Sequence, residues 1–371
     1  MYPALNGAHK AIKKQANNFL QKECPLSLVR LMEEDNLGYS PTLWEKIAEM
    51  GWIGRIFPKK YGGEGTTFTE LVLLLEEMGK YLVPGPIINT IVAGLAIMEF
   101  CNEDQKMDLI PKIAQGKLKF SIGIYDSPGV RLDYNSTTAV ALPCEGGFLI
   151  SGQKIYVPDF QASDKLLFEA QTPEGISGFM IASDSLGISE ETLSTIALDK
   201  RSDLFLEKVK VSDKDLMGRV GQGAEIVDTI QKWGACALSA YAVGAAQNCI
   251  DMSLEYAKQR EQFGGPISNF QVIQHRLVDM LVEIEGARLL TYEAAWRLST
   301  ERSADFEVAA AKMQAGDCLN KVASDALRIF GGKGSTKECD IQLFFRRVRP
   351  LQMFLGNAQW CESKIWDAMK K

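Results

Sequence analysis

Histidine is nearly missing from this chain: its 371 residues hold only His9 and His275. So few imidazoles leave almost no room for a histidine-rich metal site. The eight cysteines (Cys24, Cys101, Cys144, Cys236, Cys249, Cys318, Cys339, Cys361) are scattered, with no Cys-x-x-Cys pair. In a chain of this length they read as reduced, mostly buried small hydrophobes. Long hydrophobic runs are absent as well. The most apolar one, Ile87 to Phe100, is too short to span a bilayer and is interrupted by Asn89 and Thr90. Residues Met1 to Lys14 lack an apolar signal core, so no export signal is read there. Excess positive charge is also lacking. Against 47 acidic side chains stand 41 basic ones, a net charge of −6, which argues against nucleic acid as a partner. A compact basic pocket for a phosphate-bearing ligand is still compatible with that balance. These absences predict a cytoplasmic protein with no membrane span.

What is present is an ordinary globular mixture, 24% charged and 46% apolar, long enough for two or three domains. Residues 1–117 read as helical. Leu43, Trp44, Ile47 and Trp52 recur at helical spacing, as do Leu71, Leu74, Leu75 and Met78. Pro58 to Gly65 is a glycine-rich loop whose plainest reading is a connection. From 118 to 222 the period becomes strand-like, in short runs such as Phe120–Tyr125, Thr138–Leu142, Lys165–Phe168 and Phe205–Val211. Residues 223–371 return to helix. Ile226 to Lys258 is apolar on nearly every face, as a central bundle helix should be. Leu277, Leu281 and Ile284 mark the expected core face of the next helix; Met313, Leu319, Val322, Leu327 and Phe330 mark a third. The expected fold class is α+β, mostly α: an N-terminal helical domain, a central β-barrel or sandwich domain, and a C-terminal four-helix bundle.

One turn between helices carries more than a turn needs. In Arg260-Glu261-Gln262-Phe263-Gly264-Gly265-Pro266, the glycines and proline suffice to reverse the chain. An ordinary helix hairpin with a surface arginine would explain it. The arginine also offers a planar fork suited to phosphate, and Phe263 an apolar face, a combination that suits a cofactor with a pyrophosphate and a flat ring. Further on, Gly331-Gly332 ends a helix. A glycine cap accounts for one of the two, and the pair also permits a phosphate to approach the backbone.

The Arg260-x-x-Phe263-Gly264…Gln271 stretch closely resembles a signature of the acyl-CoA dehydrogenase family, flavoproteins that desaturate acyl thioesters. Three further segments are similar to that family's. They are Trp52-x-Gly54…Pro58-x-x-Tyr61-Gly62-Gly63, Gly152-x-Lys154-x-Tyr156-Val157, and Gly331-Gly332-Lys333-Gly334, where Arg328 replaces the usual glutamine. The resemblance implies flavin adenine dinucleotide, FAD, held at subunit interfaces of a homotetramer or of a heterotetramer with a related chain. By the same resemblance Arg260, Gln262, Phe263, Gln271, Gly331, Gly332 and Gln359 touch the dinucleotide. Tyr156 and Pro158 would lie against the flavin ring, although Tyr156 alone reads equally well as a half-buried strand aromatic. The implied substrate is an acyl-CoA, set against Leu355 and Gly356, with an electron-transfer flavoprotein or similar acceptor as partner.

The family reaction removes a proton from the α-carbon while a hydride leaves the β-carbon, and it needs a carboxylate base. The resemblance places that base at Leu355 or, in other members, near Gly234. Neither residue accepts a proton. The flavin-gripping Thr-Glu-Pro segment is replaced by Tyr125-Asp126-Ser127-Pro128-Gly129. Two readings follow. The chain oxidises an unusual acyl-CoA, cyclic or branched, with a base drawn from Asp126, Tyr125 or Tyr156. Alternatively it is the base-lacking subunit of a heteromeric acyl-CoA dehydrogenase.

Overall fold

The helical period that gives way to a strand period near Lys119, and returns after Gly223, becomes helix, sheet and helix in the computed structural model, which describes residues 5–126, 137–300 and 303–370. The backbone clusters into two units. One comprises Met1–Val29, Thr67–Val83 and Ala235–Lys371; the other comprises Arg30–Thr66 and Pro84–Gly234.

The first unit is a helical bundle. It contains α1 (Gly7–Glu23), α4 (Phe68–Lys80), α8 (Gln271–Ser299), α9 (Asp305–Phe330), α10 (Ile341–Arg346), α11 (Val348–Met353) and α12 (Ala358–Met369). Helices α2 (Leu26–Glu34) and α7 (Gly223–Gln259) each run from one unit into the other. From Ala235 to Cys249, α7 is buried apart from Tyr241, Gln247 and Asn248, as its all-round apolar sequence predicts. Its backbone lies directly on α4. A Cβ on Gly79 would stand 1.9 Å from the Tyr241 carbonyl oxygen, and one on Gly244 would stand 1.8 Å from that of Glu76. Only glycine fits at that crossing. Beside it Glu76, 3% exposed, accepts from Lys13 at 2.8 Å, from Arg288 at 2.9 Å and from the Tyr292 hydroxyl. Burial pushes this carboxyl up, but the charges of Lys13 and Arg288 outweigh it and hold the group below the usual range.

Two core faces differ from the sequence expectation. On α8 the buried residues are Met280, Ile284, Ala287, Thr291 and Ala294, while Leu281 is 45% exposed. On α9 the buried stripe includes Val308, Ala315, Leu319, Val322 and Ile329, with Met313, Leu327 and Phe330 only half-buried. In both helices alanines share the core with larger side chains, Ile284 and Tyr292 on α8 and Leu319 and Val322 on α9.

The second unit holds α3 (Pro41–Glu49), α5 (Ile87–Phe100) and α6 (Glu103–Ala114) with the sheet. The strands are β1 (Phe120–Gly123), β2 (Val140–Cys144), β3 (Gly147–Pro158), β4 (Lys165–Thr172), β5 (Gly175–Ala182), β6 (Ile188–Leu193), β7 (Arg201–Ser212) and β8 (Leu216–Met217). They run in the order β6-β7-β3-β2-β4-β5-β8, mostly antiparallel, with β1 parallel to β4. Phe148 of β3 meets Phe179 of β5 edge-on at 5.4 Å, so the sheet curls around a core that also holds Ile150, Phe168 and Leu206. The glycine-rich loop of residues 58–65 is explained by packing. A Cβ on Gly63 would stand 2.0 Å from the Phe57 carbonyl oxygen, and buried Tyr61 donates to Glu103 at 2.8 Å. All eight cysteines are free and seven are buried, Cys144 being half-buried. Among the described residues no helix is long and apolar enough to cross a membrane, and no cluster of ligating side chains suits a metal ion.

Candidate cofactor and substrate site

The Arg260 turn is built as a tight hairpin at one end of the bundle. The last turn of α7 closes with the Arg260 N–H donating to Tyr256 at 2.8 Å, and the Arg260 carbonyl accepts from Ile267 at 2.8 Å. Between them β9 (Glu261–Gln262) pairs with β10 (Gly265–Pro266). Phe263 (φ 52°) and Gly264 (φ 89°) form the tip, both left-handed, as a type I′ turn requires. Glycine takes that conformation freely; phenylalanine does so under strain. Phe263 is moreover 94% exposed, its ring meeting only the edge of Phe270 at 6.0 Å. Gln262 and Gln271, the latter opening α8, are exposed.

The end of α9 stands beside this hairpin. Phe330 stacks on Tyr256 with ring centroids 4.2 Å apart, and Lys333 lies over the Tyr256 ring at 5.8 Å. This stack brings Gly331 and Gly332 to the same end of the bundle as Arg260. A Cβ at either glycine would meet nothing within 4 Å, so packing inside the chain does not demand glycine there. Gly331 needs it for its φ of 63°.

In the other unit Tyr156 sits in a bulge of β3, where the register with β7 shifts between Lys154 and Val157. Its φ is 54° and it is 53% exposed. Asp203 accepts from its N–H at 3.0 Å, and Arg201 donates to its carbonyl at 3.3 Å. Buried Pro158 follows, its carbonyl accepting from Ser121. Asp159, half-buried and also left-handed (φ 52°), accepts from Asn89 at 3.4 Å. Burial pushes its carboxyl up to about 7 against the pull of Arg201, with Asp199 adding to the rise.

The C-terminal turn between α11 and α12 is equally constrained. Leu355 has φ 54° and is fully buried; Gly356 has φ 129° and lies against the Trp360 ring. Asn357 caps α12 by accepting from the Trp360 N–H at 2.9 Å, leaving Gln359 exposed in the first turn. Lys312, 3% exposed, reaches from α9 to the Leu351 carbonyl. Burial pulls its ammonium down to about 7. Seven non-glycine residues among those described have positive φ, and three of them are Tyr156, Phe263 and Leu355.

Two family models match the chain. The N-terminal domain of acyl-CoA dehydrogenase matches residues 6–117, and the C-terminal domain of acyl-CoA dehydrogenase matches residues 221–369. The chain belongs to the acyl-CoA dehydrogenase family. It is 29% identical to a glutaryl-CoA dehydrogenase of Desulfococcus multivorans over 95% of this chain and 94% of that one. A solved glutaryl-CoA dehydrogenase in complex with glutaryl-CoA superposes with a TM-score of 0.91 at 28% identity, covering 100% of this chain and 97% of the other. The Tcur3481-Tcur3483 steroid ACAD superposes with a TM-score of 0.88 at 27% identity, covering 98% of each chain.

As an acyl-CoA dehydrogenase, the chain is an oxidoreductase. Asp126 is committed elsewhere. It pairs with Lys154, which is fully buried and also donates to Glu169 at 2.8 Å and to Thr137 at 3.2 Å. Thr137 donates to the Asp126 carboxylate at 2.6 Å, as do the N–H and hydroxyl of Thr138. Burial alone would raise this carboxyl; the Lys154 charge and these hydrogen bonds win and lower it. Glu169, pushed up by burial against the pull of Lys154, completes the cluster. A carboxylate with so many donors holds the sheet together and is a poor proton acceptor. Ser127, Pro128 and Gly129 lie outside the described residues. Gly234 is buried on α7, and neighbouring Trp233 donates to Glu99, whose carboxyl burial raises. Asp159, whose carboxyl burial brings to about 7, was not among the base candidates that the sequence offered. Its only signal there was its place directly after Pro158.

Proposed function

We propose that this acyl-CoA dehydrogenase binds FAD and oxidises an acyl-CoA thioester whose α-proton is taken by a base outside the two family positions. The observation that carries the reading is the coincidence of backbone strain with the candidate residues at Tyr156, Phe263 and Leu355. Strained, exposed aromatics are costly in a chain that needs them only for folding. Arg260 and the open pair Gly331 and Gly332 suit a diphosphate, with Gln262, Phe263, Gln271 and Gln359 around it. Tyr156 and Pro158 suit the edge and face of a flat ring. Bound flavin would supply the hydride acceptor. Leu355 and Gly356 would shape the thioester site, where a backbone N–H stabilises developing negative charge without any particular side chain. With the Asp126 carboxylate committed to Lys154, Tyr125 and Tyr156 are joined as base candidates by Asp159, whose carboxyl near neutrality suits general-base work.

Arg260→Ala tests the cofactor assignment. Losing charge-assisted hydrogen bonds should weaken FAD roughly ten- to hundred-fold, read as flavin lost on dilution. Unchanged retention would remove Arg260 from the site. A second reading, the base-lacking subunit of a heteromer, is favoured by the likeness to the Tcur3481-Tcur3483 steroid ACAD, a name that pairs two chains. An electron-transfer flavoprotein or similar carrier would then take electrons from either form.

A further inference from the structure

Asp325, 6% exposed on α9, accepts at one oxygen from two guanidinium groups. Arg276 reaches it from the first turns of α8 at 2.5 Å, and Arg328 from the next turn of α9 at 2.8 Å. Each arginine spends only its Nη1 group on this contact, and neither side chain makes another hydrogen bond among the described residues. Two cations on one carboxylate leave a net positive charge. The Arg328 side chain carries it outward, 67% exposed, three residues before Gly331. The Tyr256–Phe330 stack sets this group at the bundle end that also holds Arg260.

We infer that Asp325 is a positioning residue that aims Arg276 and Arg328 at a diphosphate lying over the open glycines. The inference rests on the flavin reading above and adds to it a second pair of donors, where the family pattern has an uncharged glutamine. Arginine suits this role because its rigid fork retains donors after one edge is occupied. A tether between α8 and α9 would need only one arginine, and the exposed Arg328 adds little to such a tether. A diphosphate occurs both in FAD and in coenzyme A, so the source has to be settled by experiment.

The test is titration of flavin-free protein with FAD, with FMN and with coenzyme A, in wild type, Arg328→Gln, Arg328→Lys, Asp325→Asn and Arg260→Ala. Arg328→Gln should weaken FAD roughly ten- to hundred-fold and flatten its salt dependence, while leaving FMN, which lacks the diphosphate, unchanged. Arg328→Lys should recover only part of that loss, because the charge returns without the fork. Asp325→Asn is the sharpest arm. Deleting an acid beside an anion site should tighten binding if only net charge counts; loss of aim predicts weaker FAD binding. Tighter binding by Asp325→Asn, or wild-type FAD affinity in both Arg328 variants while Arg260→Ala is impaired, would overturn the inference and spare the flavin reading. Weakened coenzyme A with intact FAD would overturn the flavin source. Failure of wild type to bind FAD would sink both. Should Asp325→Asn not fold, the Arg328 pair decides alone.

Discussion

At the scale of single residues, Asp159 and Leu355 make opposite predictions about charge. The Asp159 carboxyl has its pKa raised from 3.8 to about 7 on folding. Its stabilising contribution is therefore full below 3.8 and is lost as pH rises through 7. At 1.4 kcal/mol per pKa unit, discounted for its half-buried position, wild type should lose about 2 kcal/mol relative to Asp159→Asn across that window. Urea melts of the two proteins at several pH values read this directly, and parallel curves would contradict it. Leu355 is fully buried, so Leu355→Glu places a carboxylate where burial raises its pKa. That variant should gain α-proton abstraction from a simple acyl-CoA only toward alkaline pH. Its melting temperature should fall, since an unpaired buried acid costs about 1–3 kcal/mol. Residue identity was readable in both cases. The left-handed backbone at Tyr156, Asp159, Phe263 and Leu355 was not, because nothing in an ordinary side chain announces a positive φ.

At the scale of elements, the order helix, sheet, helix followed from the change of period alone. Strand β6 escaped notice because it is an edge: Ser189, Glu190, Glu191 and Thr192 all face solvent, so no apolar alternation marks it. Leu281 misled for a related reason. A leucine at helical spacing signals a stripe, but not which surface the stripe will meet. The α8 core keeps Ile284 from the expected stripe but continues through Met280, Ala287, Thr291 and Ala294, which leaves Leu281 outside it. Glycines sort by the same logic into two kinds. Gly244→Ala forces α4 and α7 apart and should cost at least about 1–3 kcal/mol, measured by denaturant melts. Gly332→Ala meets no atom within 4 Å and should melt like wild type, yet should hold flavin less well. A Gly332→Ala protein with full flavin retention would mean that no ligand approaches that backbone.

At the scale of the whole molecule, one stripe of exposed apolar side chains runs along α8. Val278, Val282 and Leu289 are 58%, 66% and 61% exposed, and Phe263 near its start is barer still. An oligomer joined through its C-terminal helices agrees with this surface; the middle of the apolar helix α7, from Ala235 to Cys249, is mostly buried inside the chain and leaves α8 to present the apolar face. We expect a second copy, or a related chain, on the α8 stripe. Val282→Glu should then shift the light-scattering mass toward the monomer and lower flavin retention with it; an unchanged mass would clear α8 of that role. The central claim is oxidation of an acyl thioester by a chain without an acid at Leu355 or Gly234. Its most direct test is anaerobic addition of acyl-CoA thioesters, cyclic and branched ones included, to the FAD-loaded chain alone. The predicted result is bleaching of the flavin absorbance, slowed roughly 10²–10⁴-fold by replacement of the true base. An FAD-loaded chain that never bleaches until a second, acid-bearing chain is added would contradict it.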